Sequence, residues 1–136
     1  SLDYTGDYHR IDKASINPRP SQPIPVWFGG SAPALLDRVA RLGDGWIPLM
    51  GANDKAQACI DTIKATREAA GLSFDNFGIQ AQAQYAGGSP ERWQKHAQAW
   101  QEMGCTHIAI ATHNAGPTDV DGHLSRIREY QDAISG

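Results

Sequence analysis

Four times after residue 23 the chain repeats one unit: a short apolar stretch, a loop marked by glycine or proline, and a run with helical spacing. No other feature limits its fold as strongly. The strands fall at Ile24–Phe28, Gly45–Leu49, Phe77–Gln84 and Thr106–Thr112. The helices follow at Ala32–Leu42, Asp54–Ala70, Pro90–Met103 and Asp121–Ile134. Gly71 stops the second helix; Ser89 caps the third, Pro90 opens it and Gly104 ends it. Strands that alternate with helices through short loops pair in parallel and are joined by right-handed crossovers. Periodicity therefore gives an α/β protein of four βα units, and leaves an open sheet and part of a barrel as alternatives. Residues 1–23, with prolines at 18, 20 and 23, are expected to form an irregular lead-in, and residues 24–136 the folded unit.

The helices carry apolar stripes that predict the core. These are Ala56, Ile60, Ile63 and Ala70 on the second, Trp93, Ala97 and Trp100 on the third, and Leu124, Ile127, Gln131 and Ile134 on the fourth. The stretch Phe77–Tyr85 alternates. Phe77, Ile79, Ala81, Ala83 and Tyr85 face one way, under helices; Gln80, Gln82 and Gln84 face the other. Amides are costly to bury unpaired, so that second face is expected to meet water or a ligand.

At 136 residues the length suits a single domain. A formal charge of −3 without any block of Lys or Arg argues against a nucleic-acid partner. No apolar run approaches the ~20 residues a spanning helix needs, which argues against a membrane. Cys59 and Cys105 lack metal-ligand spacing and are read as small buried residues, fitting a reducing, cytoplasmic setting. No Ser/His/Asp set, paired catalytic carboxylates, Walker loop or metal motif is present. An opening Ser1-Leu2-Asp3 in place of Met is read as processing.

The segment Pro25-Val-Trp-Phe-Gly-Gly-Ser-Ala-Pro33 places two glycines between a strand and a helix. Bare backbone N–H groups at such a junction hold phosphate. Gly29 and Gly30 admit an oxygen to the main chain, and Ser31 is expected to cap the helix or turn its hydroxyl to the anion. The alternative is a tight turn that needs glycine and binds nothing. Gly87-Gly88-Ser89-Pro90 echoes this loop, where a capped helix start is explanation enough. In a parallel α/β fold these loops, with Met50–Asn53 and His113–Gly122, emerge on the side that holds the site. Among the histidines, His107 lies in a strand and His96 on a helix, while His123 sits with Asp119 and Asp121 at a helix start that aspartate capping explains.

Continuing into Arg38-Val-Ala-Arg-Leu-Gly-Asp-Gly-Trp-Ile-Pro-Leu49, the run from Pro23 to Leu49 resembles a hallmark segment of the bacterial luciferase-like oxidoreductases. Tyr4-Thr-Gly-Asp-Tyr-His-Arg10 and Pro18–Pro23 resemble the excursion before that family's fifth barrel strand. Gly104–Gly116 is similar to its last strand and loop. The resemblance implies the C-terminal (β/α)4 half of a TIM (β/α)8 barrel, either FMN or the deazaflavin coenzyme F420 as cofactor, and either hydride transfer or monooxygenase chemistry through a flavin-peroxide. It further implies that Gly29, Gly30, Ser31 and Ala32 contact the phosphate end of the cofactor and that Trp46 packs beside it. His113 and Asn114, after the last strand, are candidates to meet a small organic substrate at the ring, and His9 with Tyr8 to fold over the cofactor. With half a barrel the chain is expected to be inactive alone, and a homodimer is expected to complete the barrel. Two rival readings are a half-barrel that assembles without catalysis and another phosphate-binding barrel enzyme, such as an isomerase or aldolase. The absence of lysine from every predicted strand counts against a Schiff-base mechanism.

Overall fold

A computed structural model describes residues 1–116 and 119–135. Pro117 and Thr118, within the loop expected at 113–122, and Gly136 lie outside the described residues. Strands β3 (Trp27–Gly29), β4 (Gly45–Ile47), β5 (Gly78–Gln84) and β6 (His107–Ala111) form one parallel sheet in the order β3-β4-β5-β6. Helices α1 (Pro33–Leu42), α2 (Asp54–Ala69), α3 (Pro90–Glu102) and α4 (Val120–Ser135) alternate with them. Chain order equals strand order, as a parallel βα succession produces.

The helices sit on one face of the sheet. Leu36, Val39 and Ala40 of α1, Cys59, Ile60 and Ile63 of α2 and Trp100 of α3 bury Trp46, Ile79 and Ala81 from the strands. A second cluster joins Ala83, Trp93 and Tyr130. The β5 alternation is as expected: Ile79, Ala81 and Ala83 are buried under helices, while Gln82 and Gln84 are exposed and Gln80 half-buried on the bare inner face. The Ser89 cap of α3 holds, and Asn53, not singled out in the sequence, caps α2. Asn53 accepts from the Ala56 amide and Ser89 from that of Arg92, and Asp119 Oδ1 accepts the Gly122 amide at the start of α4. Arg67 of α2 ties the layer together, donating to the carbonyls of Ser73, Ala40 and Gly43.

Three expectations change. Residues 1–23 are not wholly irregular: β1 (Leu2–Thr5) and β2 (Arg10–Ala14) form an antiparallel hairpin, closed by the Gly6 amide donating to the His9 carbonyl at 2.9 Å. The prolines that suggested irregularity all lie after it. The first sheet strand begins at Trp27 rather than Ile24, because Val26 is tied instead to Asp44; its amide donates to Asp44 Oδ2 at 2.8 Å. On α4, Tyr130 is the buried anchor, with Ala133 and Ile134 beside it, whereas Leu124 and Ile127 are 42% and 40% exposed.

A further feature lies on the inner face. Trp27 lies across Gly45 and Gly78 on the neighbouring strands; a Cβ there would come within 2.4 and 2.1 Å of its ring. Its edge meets His107 at 5.3 Å between centroids. One indole thus spans the starts of all four strands, and the two glycines are the space it fills.

Candidate cofactor loop

The loop at the C-terminal end of β3 is built from Gly29, Gly30, Ser31 and Ala32. Gly30 has φ +114°, a conformation that side chains rarely adopt, and a Cβ there would stand 3.0 Å from Leu35. Gly29 is different. A Cβ at Gly29 would meet only the Ile47 carbonyl oxygen at 3.7 Å, an ordinary contact. Neither packing nor backbone conformation calls for glycine there, yet glycine leaves that backbone bare.

Ser31 does not cap α1. The N-cap is Ala32, without any side-chain cap bond, and its carbonyl accepts the Leu35 and Leu36 amides at 2.9 Å. Pro33 has no N–H to donate. Among the described residues the amides of Ser31, Ala32 and Ala34 have no protein acceptor. The first turn of α1 carries no acidic side chain, so its positive end meets no carboxylate. Neither a capping side chain nor a first-turn carboxylate serves this helix start, and an anion can take their place.

The echo loop at Gly87-Gly88-Ser89 is filled from within. A Cβ at Gly88 would stand 2.0 Å from the Trp93 indole nitrogen, and Ser89 takes up the Arg92 amide while its own hydroxyl donates to Glu91. That hydrogen bond lowers the Glu91 pKa. Glycine at 88 makes room for a tryptophan.

Trp46 does not lie on the inner face with a ligand. It is fully buried on the helix side, and its indole N–H donates to the Gly30 carbonyl at 2.7 Å. His113 and Asn114 are exposed just past β6, Asn114 with φ +58°. His9 sits in the hairpin turn, in a segment exposed from Ser1 to Val26, so neither it nor Tyr8 folds over the sheet. The structure does not bring His9, His113 and the β3 loop together. His107 bonds the Thr106 hydroxyl, and His123 the Thr112 hydroxyl, both at 2.8 Å.

His96 was legible only as a helix residue, yet three hollows of about 230, 270 and 300 Å³ meet at it. One reaches the exposed Gln82 and Gln84 and the Pro48–Gly51 loop; another reaches Arg92 and Lys95. Burial pushes the His96 pKa down, and its Nδ1 has no partner among the described residues. No motif marks such a junction, because it is made by three separate loops. Larger hollows of about 870 and 410 Å³ lie at the hairpin base and the strand starts, and neither includes a residue of the β3 loop.

A family model for luciferase-like monooxygenases matches residues 1–135. This chain belongs to that family. Within the luciferase-like family, an uncharacterised Mycobacterium tuberculosis protein is 41% identical over 87 residues, covering 57% of this chain and 30% of its own length. An F420-dependent glucose-6-phosphate dehydrogenase of Nakamurella multipartita is 42% identical over 48 residues, 35% of this chain and 14% of that one. The F420-dependent tetrahydromethanopterin reductase of Methanopyrus kandleri superposes with a TM-score of 0.63 at 13% identity, covering 94% of this chain and 58% of that chain. The luciferase-like chain described here therefore spans well under two-thirds of the length of these relatives. Its α/β fold of four parallel strands and four helices is half of the barrel.

Proposed function

We propose that this chain is the C-terminal, cofactor-phosphate-binding half of a flavin-type oxidoreductase, with the deazaflavin F420 as its cofactor and FMN as the second reading. One observation carries it: glycine stands at position 29 where nothing in the fold requires it, beside free amides at an uncapped helix start. Gly29, Gly30, Ser31 and Ala32 would hold the phosphate end, and the ring would lie over the inner face towards Gln82, Gln84 and His113. The F420-dependent relative in sequence supports the deazaflavin over FMN. When bound, the group exchanges hydride with a small organic substrate; the protein orients the ring and excludes water. His113 and Asn114 are the proposed residues nearest the substrate, in the reducing cytoplasm that two free cysteines suit.

Among the described residues no strand pairs with the outer edges of β3 and β6, and the inner face beyond Trp27 carries exposed Gln82 and Gln84, whereas parallel sheets are covered on both faces. A second copy of the chain, or the missing half of a longer one, would cover them. Titration of F420, FMN and inorganic phosphate by fluorescence and calorimetry tests the reading. Gly29→Val is expected to fold normally and to lose tenfold or more in cofactor affinity, an effect of about 1.4 kcal/mol or more. Unchanged affinity would overturn the site. Light scattering on a size-exclusion column is expected to show a dimer at micromolar concentration, and no steady-state turnover until an N-terminal half is supplied. A compact monomer with an uncovered sheet would overturn the assembly.

A further inference from the structure

We propose that Trp46 is the positioning residue of the phosphate loop, setting the affinity for the cofactor's phosphate end without touching the cofactor. The inference rests on the reading of Gly29–Ala32 as that loop. Trp46 lies at the centre of β4, between Phe28 and Ile79 in the register, with its ring fully buried beneath α1. Its indole N–H donates to the Gly30 carbonyl at 2.7 Å, tying the loop to the body of the sheet. The Gly30 amide also donates to the Ile47 carbonyl, at a longer 3.3 Å.

The peptide plane explains why that bond matters. In a trans peptide the C=O and the following N–H point in opposite directions. Drawing the Gly30 carbonyl towards the core therefore turns the Ser31 amide outward, away from Trp46. The same plane follows a residue at φ +114°, a backbone state that glycine enters as readily as others. Without the indole bond, that peptide is free to rotate and carry its donor away from the anion. Ser31 supplies no cap to hold it in place.

The other tryptophans mark this arrangement as specific. Trp93 donates to the Gln84 carbonyl at 3.2 Å, but there the ring fills the space over Gly88 and a serine occupies the helix start. The Trp100 indole is fully buried with no acceptor among the described residues. A buried indole in this fold thus does not always find a carbonyl, and only the one at 46 holds a bare loop.

The test compares cofactor pairs that differ only in phosphate: FMN against riboflavin, and F420 against its ring and ribityl chain without the phosphate-bearing tail. Trp46→Phe keeps a buried ring and removes the donor. In parallel, 3-benzothienylalanine incorporated at 46 keeps the indole shape and places sulfur where the N–H was. Losing one such bond is expected to weaken binding of the phosphorylated partner about five- to tenfold, leaving the unphosphorylated partner within about twofold. A merely structural role would weaken both partners of each pair alike. The benzothienyl variant decides the matter if Trp46→Phe fails to fold. If the parent chain binds both partners of each pair equally, the phosphate loop itself is refuted. If the parent prefers the phosphorylated partner and the variants keep that preference in full, the loop stands and the role of Trp46 falls.

Discussion

Arg67 offers the sharpest test of how the layers hold together. Its guanidinium donates to the Ala40 and Gly43 carbonyls at 3.0 Å and to Ser73 at 2.9 Å, and lies 4.7 Å from the Phe77 ring centre. Ala40 and Gly43 belong to the C-terminal end of α1, where helix carbonyls have no partner of their own. Both residues are buried, so Arg67→Ala leaves two acceptors that water reaches poorly. Each such acceptor costs about 1–3 kcal/mol, and the lost ring contact adds about 0.5–1 kcal/mol. Because Arg67 is itself half-exposed, water recovers part of this, and the expected loss is about 2–4 kcal/mol. With a urea slope near 2 kcal/mol per molar, the midpoint should fall by about 1–2 M at unchanged slope. Arg67→Lys should recover less than half of the loss, since one ammonium cannot fork between three carbonyls. Urea unfolding followed by tryptophan fluorescence measures both. A shift below about 0.3 M for Arg67→Ala would refute the argument that this side chain closes α1.

Gly88→Ala is expected to lower the melting temperature by several degrees, because its Cβ meets the Trp93 ring, whereas Gly29→Ala should leave it unchanged; equal effects would contradict the difference between the two loops. The Tyr130 hydroxyl is buried with no partner among the described residues, and burial raises its pKa. Tyr130→Phe should therefore match or exceed the parent in stability, and a loss above about 1 kcal/mol would show that the hydroxyl is satisfied. For His96, burial lowers the folded pKa below the ordinary 6.5, so below that pH the unfolded chain binds the extra proton. Its contribution to stability is full above about pH 6.5 and is lost as the pH falls towards the folded pKa. The urea midpoint between pH 7 and 5 should fall less steeply in His96→Gln than in the parent, and identical profiles would remove His96 from the account.

Local signals in the sequence settle most of the elements. Ser89 and Asp119 cap their helices by bonds that reach no further than three residues, so they can be read along the chain. The alternation of Ile79, Ala81 and Ala83 with glutamines fixes which face of β5 is buried, because a strand's side chains have a period of two. The Gly29–Gly30 loop is legible as a bare turn for the same reason. Tertiary structure decides what depends on distant partners. It sets Trp46 beneath α1 and onto the Gly30 carbonyl, an arrangement sixteen positions apart in sequence. It lays Trp27 over Gly45 and Gly78, so that two glycines the pattern places only as strand residues prove to be room for a ring. It also gives the anchoring role on α4 to Tyr130, which packs with Ala83 and Trp93, while Leu124 and Ile127 stay exposed. Pattern reports which residues want burial; only the assembled layers report what is there to bury them.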